Sequence, residues 1–420
     1  MEKITLQVLG GVGQYGRACF YLTNGRSRVL LDCGMLKEKN KAKHEAFPRL
    51  TRELARSIDF VLLTHSHEDH CGGLSYLFDL GFEGLIYSTE ACRDQVVHLG
   101  TDQADQYSRW FDHWRLLEQL PEAYNGWYVL NEEVHIQWGR TGHLLGSVWY
   151  GIEMDQKRFF YSGDYTAESL LLERELPSFT DIDFAVIDGA YGHEICTQEK
   201  ALHYIAETVQ HSLKKNTSLL FPVPSFGRGQ DLLTFLVQKN KLWKVPIVVE
   251  ENIYQGLKNY VCYKEELKSG ASTRIAEVLL HPYLSVIKTE EERRKHLQDP
   301  EGKIILTHDG MLESSLSFYY LKELKHRNHL IILTGHQAEG TMGYELLQGR
   351  YLREHKHAFI RYKVHQDLQD VVSMLDFLKP KQFILFHSGK ETLEQSYNWL
   401  EEKGVQINPS LHCVGNEIVV

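Results

Sequence analysis

The sequence predicts an α/β protein in which one β-rich domain is interrupted by a second α/β domain and then completed by the C-terminal segment. Two changes of style along the chain carry this reading. In the first part, short strand-like runs such as "ITLQVLG", "ACFYLT", "RVLLDCG", "FVLLTH", "VHIQWGR", "SVWYGIEM", "RFFYSGD" and "DFAVIDG" follow one another with few helical patterns between them. From about residue 196 the pattern alternates: "QEKALHYIAETVQHSLKK" precedes "SLLFPVP", and "GQDLLTFLVQKN" precedes "VPIVVE". Such alternation signals βαβ units on a parallel sheet. The close returns to strand, helix and strand in "AFIRYKVH", "DLQDVVSMLDFL" and "QFILFHS". The one long helix-compatible stretch of the first part is "CRDQVVHLGTDQADQYSRWFDHWRLLEQL". Trp110 and Trp114, one helical turn apart on it, read as packing residues.

The totals agree with this layout. A chain of 420 residues suggests two or three domains at about 150 residues each. With 43% apolar and 24% charged residues it has the composition of a soluble globular protein, and no run approaches the ~18 apolar residues of a membrane helix. The N-terminus "MEKITLQVLGG" enters a strand pattern directly, so no signal peptide is expected. Seven cysteines with no C-x-x-C fit reduced thiols in a cytoplasm and do not fit a cysteine zinc site. A net charge of −10 argues against general coating of nucleic acid, though not against a local site that grips phosphate.

The chemistry concentrates in "FVLLTHSHEDHCGG", residues 60–73. His65 and His67 are two apart and face the same side of an extended backbone. Asp69 and His70 follow where the chain turns towards a helix. Four such ligands in six residues can supply two adjacent metal positions, and imidazole with carboxylate suits zinc. The bland alternative is a His-rich surface turn. Other candidate ligands also close strand-like runs: Asp32 after "RVLL", Asp164 after "RFFYSG", Asp188 after "FAVI", His365 after "FIRYKV" and His387 after "FILF", while His143 lies in the turn "RTGHLLGS". Strand ends are where α/β architectures converge side chains on one edge.

Taken in order, Asp32, "HSHEDH", "GHLLGS" and "SGDYT" resemble the metallo-β-lactamase superfamily, whose fold is an αββα sandwich with a dinuclear zinc site. The resemblance extends to its β-CASP branch, the RNA-processing nucleases typified by ribonuclease J and the nuclease subunit of the cleavage/polyadenylation factor. "VIDGAYG", "PVPSFGRGQDLL", "HDGML", "TGHQAEGTMG", "KVHQD" and "LFHSGKE" stand where that branch has its own signatures. The resemblance implies a metallo-β-lactamase domain over 1–195 and 346–420 and an inserted α/β β-CASP domain over 196–345. It implies that His65, His67 and His143 bind one Zn²⁺, that Asp69, His70 and His387 bind a second, that Asp164 bridges them, and that Asp32 orients the ligands. It implies hydrolysis of single-stranded RNA by a hydroxide shared between two zinc ions, in the cytoplasm and away from membranes, by a monomer or a homodimer. His365 would act as general acid with Asp188 orienting it, and Arg228 would contact phosphate, a surface ion pair being the plain alternative. Phe226 would stack on a base or fill the core. The third extra motif of the branch carries His in RNA-processing members and Val in DNA-processing ones; here it is His387.

The chain also departs from the branch. Asp188-Gly189-Ala190-Tyr191-Gly192 stands for Glu-Ser-Thr-Tyr-Gly, Lys363-Val364-His365 for Ser-Gly-His or Ser-Ala-His, and His308-Asp309 for a serine pair. Small residues before the motif histidine let backbone N–H groups approach a terminal 5′-phosphate. Lys363 and Val364 are not small, so Lys363 is expected to offer charge to the substrate without rebuilding that cradle, and cleavage is expected to be internal. Two other readings are a metal-binding pseudo-nuclease that docks a partner, and a small-molecule hydrolase of the same fold. The first usually loses ligands that are all present here, and the second lacks the inserted domain.

Overall fold

The computed structural model describes residues 3–36, 43–99, 110–351, 353–407, 415 and 417–420. Two seven-stranded sheets lie face to face. The first runs in the order Glu417–Val419, Thr5–Gly10, Cys19–Thr23, Arg28–Leu31, Phe60–Leu62, Leu85–Ser88, Trp114–Leu116. The second runs Gln382–Phe386, Phe184–Asp188, Lys157–Tyr161, Val148–Met154, Val134–Arg140, Trp127–Val129, Glu122–Tyr124.

The strand sequences explain the layering. Successive strand residues point to opposite faces. Val29, Leu31, Phe60 and Leu62 join the core shared with Val148, Tyr150, Phe160 and Ile187 of the facing sheet. Leu30, Val61 and Leu63 turn outward and pack with Ala55, Leu74, Leu77 and Val96 of the covering helices. On the far side, Val371 and Leu375 of the helix Leu368–Leu378 and Leu393 and Leu400 of the helix Lys390–Glu402 join the larger core. Strands apolar on both faces thus demand helices outside both sheets, which is the αββα sandwich read from the sequence.

The chain leaves the sandwich after Phe184–Asp188 and builds a third sheet of six strands, in the order Leu284–Ile287, Ile247–Glu250, Ile304–Thr307, Ser218–Pro222, His329–Leu333, His357–Phe359. Every pairing in it is parallel. It then re-enters the second sheet with Gln382–Phe386, which pairs beside Phe184–Asp188.

His357–Phe359 pairs with Ile331–Leu333, so the third sheet takes its last edge strand from the segment that returns to the sandwich and continues into the motif of His365. One sequence expectation is corrected. Among the described residues the long helical stretch holds an α-helix over Glu90–Leu99 and single 3-10 turns at Phe111–His113 and Leu117–Gln119, and between these turns Trp114–Leu116 is a strand parallel to Leu85–Ser88. There Trp114 and Leu116 are buried on either side of an exposed Arg115, and the Trp114 indole donates to Ser88 Oγ at 2.8 Å. Burial of alternate residues overrides a composition that a helix would also accept. Both Trp110 and Trp114 are packing residues, Trp110 stacking on Phe78.

Candidate metal centre

Strand ends bring the candidate ligands to one edge of the sandwich. Asp32 follows Arg28–Leu31, His65 follows Phe60–Leu62, Asp164 follows Lys157–Tyr161, Asp188 ends its strand, and His387 follows Gln382–Phe386. His70 sits on the single turn Glu68–Cys71, which points it inward, while Asp69 stays at the rim. Gly163, at φ +52°, lets the chain pass Thr64 before Asp164; a Cβ there would stand 2.9 Å from the Thr64 side chain. Asp32 and His387 themselves hold left-handed backbones, φ +56° and +66°. Non-glycine residues hold this conformation at a cost, and such residues cluster at functional sites.

The donor atoms fall into three groups within which all lie inside 4.8 Å: His65, His67, His143 and Asp164; Asp69, His70 and His387; and Asp164, Asp188, His365 and His387. Asp164 Oδ1 is 3.1 Å from His70 Nε2, and its Oδ2 is 3.4 Å from His143 Nε2 and 3.5 Å from His65 Nε2. His387 Nε2 lies 2.8 Å from Asp69 Oδ2. All seven expected ligands therefore converge, with Asp164 between the two sets.

Tautomers are dictated from behind. Asp32 is fully buried; it accepts from Thr64 N at 2.7 Å, Thr64 Oγ1 at 2.8 Å, Tyr161 Oη at 2.6 Å and His70 Nδ1 at 2.7 Å. His65 Nδ1 faces Thr64 Oγ1 at 3.0 Å, and His143 Nδ1 donates to Val364 O at 2.7 Å. With each Nδ1 proton engaged, each Nε2 lone pair faces the centre, the arrangement that metal-binding histidines take.

The donor set fits cations. His65 Nε2, His67 Nε2, His70 Nε2, His387 Nδ1 and Asp164 Oδ1 are buried with no hydrogen-bond partner, and buried polar atoms are seldom left so. Burial holds His65 and His143 well below the usual imidazole range and His67 at about 4. Burial alone would raise the Asp164 carboxyl, but His387, His70 and His365 hold it well below the carboxylate range. Neutral imidazoles and an ionised carboxylate are the forms that bind metal. Against the pull of burial, Asp164 and its neighbouring carboxylates raise His70, and raise His387 to about 9, so this cluster draws in positive charge.

His365 stands beside the two sets. Its Nδ1 is 3.0 Å from Asp188 Oδ2, and that carboxylate is fixed by the backbone N–H groups of Tyr165 and Ala190. Tyr191 Oη accepts from Val364 N and donates to Tyr362 O, bracing the segment that carries His365. The buried Nε of Arg228 has no partner, and the guanidinium lies against Gly310 and Gly335; a Cβ at Gly335 would collide with it at 2.0 Å. Burial lowers its affinity for the proton, so an anion would be welcome there. Phe226 is half-buried at the next turn of the same loop.

Lys363 is corrected. Its ammonium is buried and lies 2.7 Å from Glu168, 3.0 Å from Asp367 and 2.6 Å from Asp370. All three donors are spent inside the chain, so it braces the loop before His365 and offers no charge to a substrate. Lys363→Met is expected to lower unfolding stability by about 3 kcal/mol, because it strands three carboxylates; denaturant unfolding checks this, and an unchanged midpoint would contradict it.

Sequence reasoning missed Thr64 and Tyr161, which hold Asp32, and the stack of Tyr15 on His336 at 4.5 Å, which joins the two domains beside His387. The last pair carried no signal, since its partners are far apart in sequence and each is ordinary alone.

Comparison with known proteins accords with this geometry. Residues 12–125 match the metallo-beta-lactamase superfamily and residues 230–346 match the Beta-Casp domain. The transcription termination factor FttA of Methanothermobacter thermautotrophicus is 29% identical over 378 residues, which is 82% of this chain and 58% of that protein. This chain thus spans little more than half the length of those factors. The RNase J-like protein of Methanocaldococcus jannaschii is 26% identical over 415 residues, covering 92% of this chain and 93% of that one. A solved structure from Enterococcus faecalis V583, described as a protein of unknown function, shares the fold at a TM-score of 0.62 and 14% identity over the full length of both chains.

Proposed function

Because the chain belongs to the metallo-β-lactamase superfamily and carries its β-CASP domain, we propose that it is a ribonuclease that holds two Zn²⁺ and cuts single-stranded RNA internally. The observation that carries this is the convergence of His65, His67 and His143 on Asp164, with the Asp69, His70 and His387 group beside it and His70 3.1 Å from the same carboxylate. Zinc held there supplies positive charge to a phosphoryl oxygen and lowers the pKa of water, which is what phosphodiester hydrolysis at neutral pH requires.

The remaining work falls to the chain. Asp32 keeps the His70 imidazole in its ligand tautomer. Asp188 anchors His365 through Nδ1, which leaves Nε2 to protonate the leaving 3′-oxygen. Arg228 offers a planar fork to a neighbouring phosphate. The relatives named for RNase J and for transcription termination favour RNA over a small ester or thioester. The cytoplasm is the compartment that free thiols suit, and the six described cysteines are free.

Cleavage of matched single-stranded RNA and DNA tests the substrate class. RNA is expected to be cut and DNA to be spared, since His387 fills the position that is valine in DNA-processing members; equal rates would contradict the choice. The mode of cutting is tested on two RNAs that differ only in a 5′-monophosphate or a 5′-hydroxyl, each labelled at the 3′ end. Val364 crowds the loop and Lys363 is already neutralised, so similar rates and mid-length early products are expected. A strong preference for the monophosphate, with mononucleotides released first, would overturn internal cleavage.

A further inference from the structure

The inserted domain has a cavity that the chemistry above does not use. It has a volume of about 390 Å³ and is lined in part by Phe226, Asn252, Gln255, Asn259, Ile287 and Lys288. That is within the ~300–1,000 Å³ of small-molecule pockets. It opens at the carboxyl ends of the parallel strands Ile247–Glu250 and Leu284–Ile287, where α/β sheets bind ligands.

Its wall has a particular composition. Asn252, Gln255, Gly256 and Asn259 follow the i, i+3, i+4, i+7 pattern on the helix Glu251–Asn259, so three amides share one face. Gly256 permits the helix to press on the turn before Arg228: a Cβ there would stand 2.5 Å from Gln230 Nε2 and 3.0 Å from Ser225 O. Asn252 is tied to Ser225 Oγ at 2.9 Å. Gln255 has only a 3.4 Å contact with Glu251, which leaves most of its amide unused, and Asn259 is exposed. Phe226, Ile287 and Leu316 give the cavity an apolar side; of its two carboxylates Glu250 is held by Arg293 and Tyr320, and Glu251 lies 3.8 Å from Lys288 at the exposed edge. An aromatic side with amides opposite is the chemistry that binds an unstacked nucleobase, and a paired donor and acceptor on one amide matches the N6/N7 edge of adenine.

We propose that this cavity takes one adenine of the RNA strand, so that the chain prefers cut sites with adenine at a fixed distance from the scissile bond. This rests on the ribonuclease reading for its substrate, and the test separates the two. The protein as purified is titrated with the four nucleoside 5′-monophosphates, which contain no bond to cut, and saturation-transfer NMR or calorimetry reads the affinities. AMP is expected to bind about tenfold tighter than CMP or UMP. Gln255→Ala with Asn259→Ala should abolish that difference; both changes suit a helix surface, so folding is preserved. In parallel, cut sites in a random-sequence RNA are mapped, and adenine is expected to be enriched at one position with the wild type only. Equal affinities in the wild type, or a preference that survives both substitutions, would overturn the adenine site. If AMP selectivity behaves as expected while no RNA is cut, the cavity stands and the ribonuclease reading falls; if RNA is cut with no base preference, the reverse holds.

Discussion

Asp164→Asn is expected to lose bound metal and ribonuclease activity together. Asp164 is almost wholly buried and lies within 3.5 Å of His65, His70 and His143, so it is the one carboxylate both ligand sets need. Asparagine keeps the shape but removes the charge, and its NH₂ would point a donor at imidazole lone pairs. Elemental analysis of protein purified without added metal should give more than one equivalent of zinc for the wild type and a clear deficit for the variant, with RNA cleavage falling below detection. Full occupancy with full activity in the variant would end the bridging assignment. The same pair of measurements on the wild type tests the alternatives: zinc without RNA cleavage points to the small-molecule hydrolase or the metal-binding pseudo-nuclease, and neither points to a partner-binding subunit without metal.

His365→Ala is expected to slow cleavage by roughly 10²–10⁴-fold, the usual share of a general acid or base, while keeping most of the zinc. The reason is geometric. His365 Nδ1 is 3.0 Å from Asp188 and 3.7 Å from Asp164, and Asp188 is already held by two backbone N–H groups, so the proposed acid and its anchor stand at the flank of the candidate ligand sets. The same histidine also lies in one group of convergent donors with Asp164, Asp188 and His387, which makes the metal readout decisive. Zinc lost in step with activity would make His365 a ligand.

The convergent donors were legible in the sequence because they close a strand or lie in the turn just beyond one, and a strand's end can be seen in its own few residues. His65, His67, Asp69 and His70 were legible together for the same reason. What sets their protonation was not. Tyr161 reaches Asp32 from 129 positions away, and Lys363 meets Glu168 from 195 away; local pattern says nothing about either pair. Lys363 looked like free charge because its acids come from separate elements that only the fold assembles. Trp114 looked helical because two tryptophans one turn apart satisfy helix spacing, whereas the alternation that decides the matter involves only Trp114, Arg115 and Leu116.

The pairing of Gln382–Phe386 beside Phe184–Asp188 has a consequence for biosynthesis. The strand that carries the chain out of the sandwich is made first, and its neighbour emerges from the ribosome only after the whole inserted domain. Until then the slot next to Asp188 is open, and neither His365 nor His387 is in place. A nascent chain with six of its seven candidate ligands, His65, His67, Asp69, His70, His143 and Asp164, would still lack His387, the residue that completes the second set. The order of translation thus leaves the second donor set open until the C-terminal segment has been made.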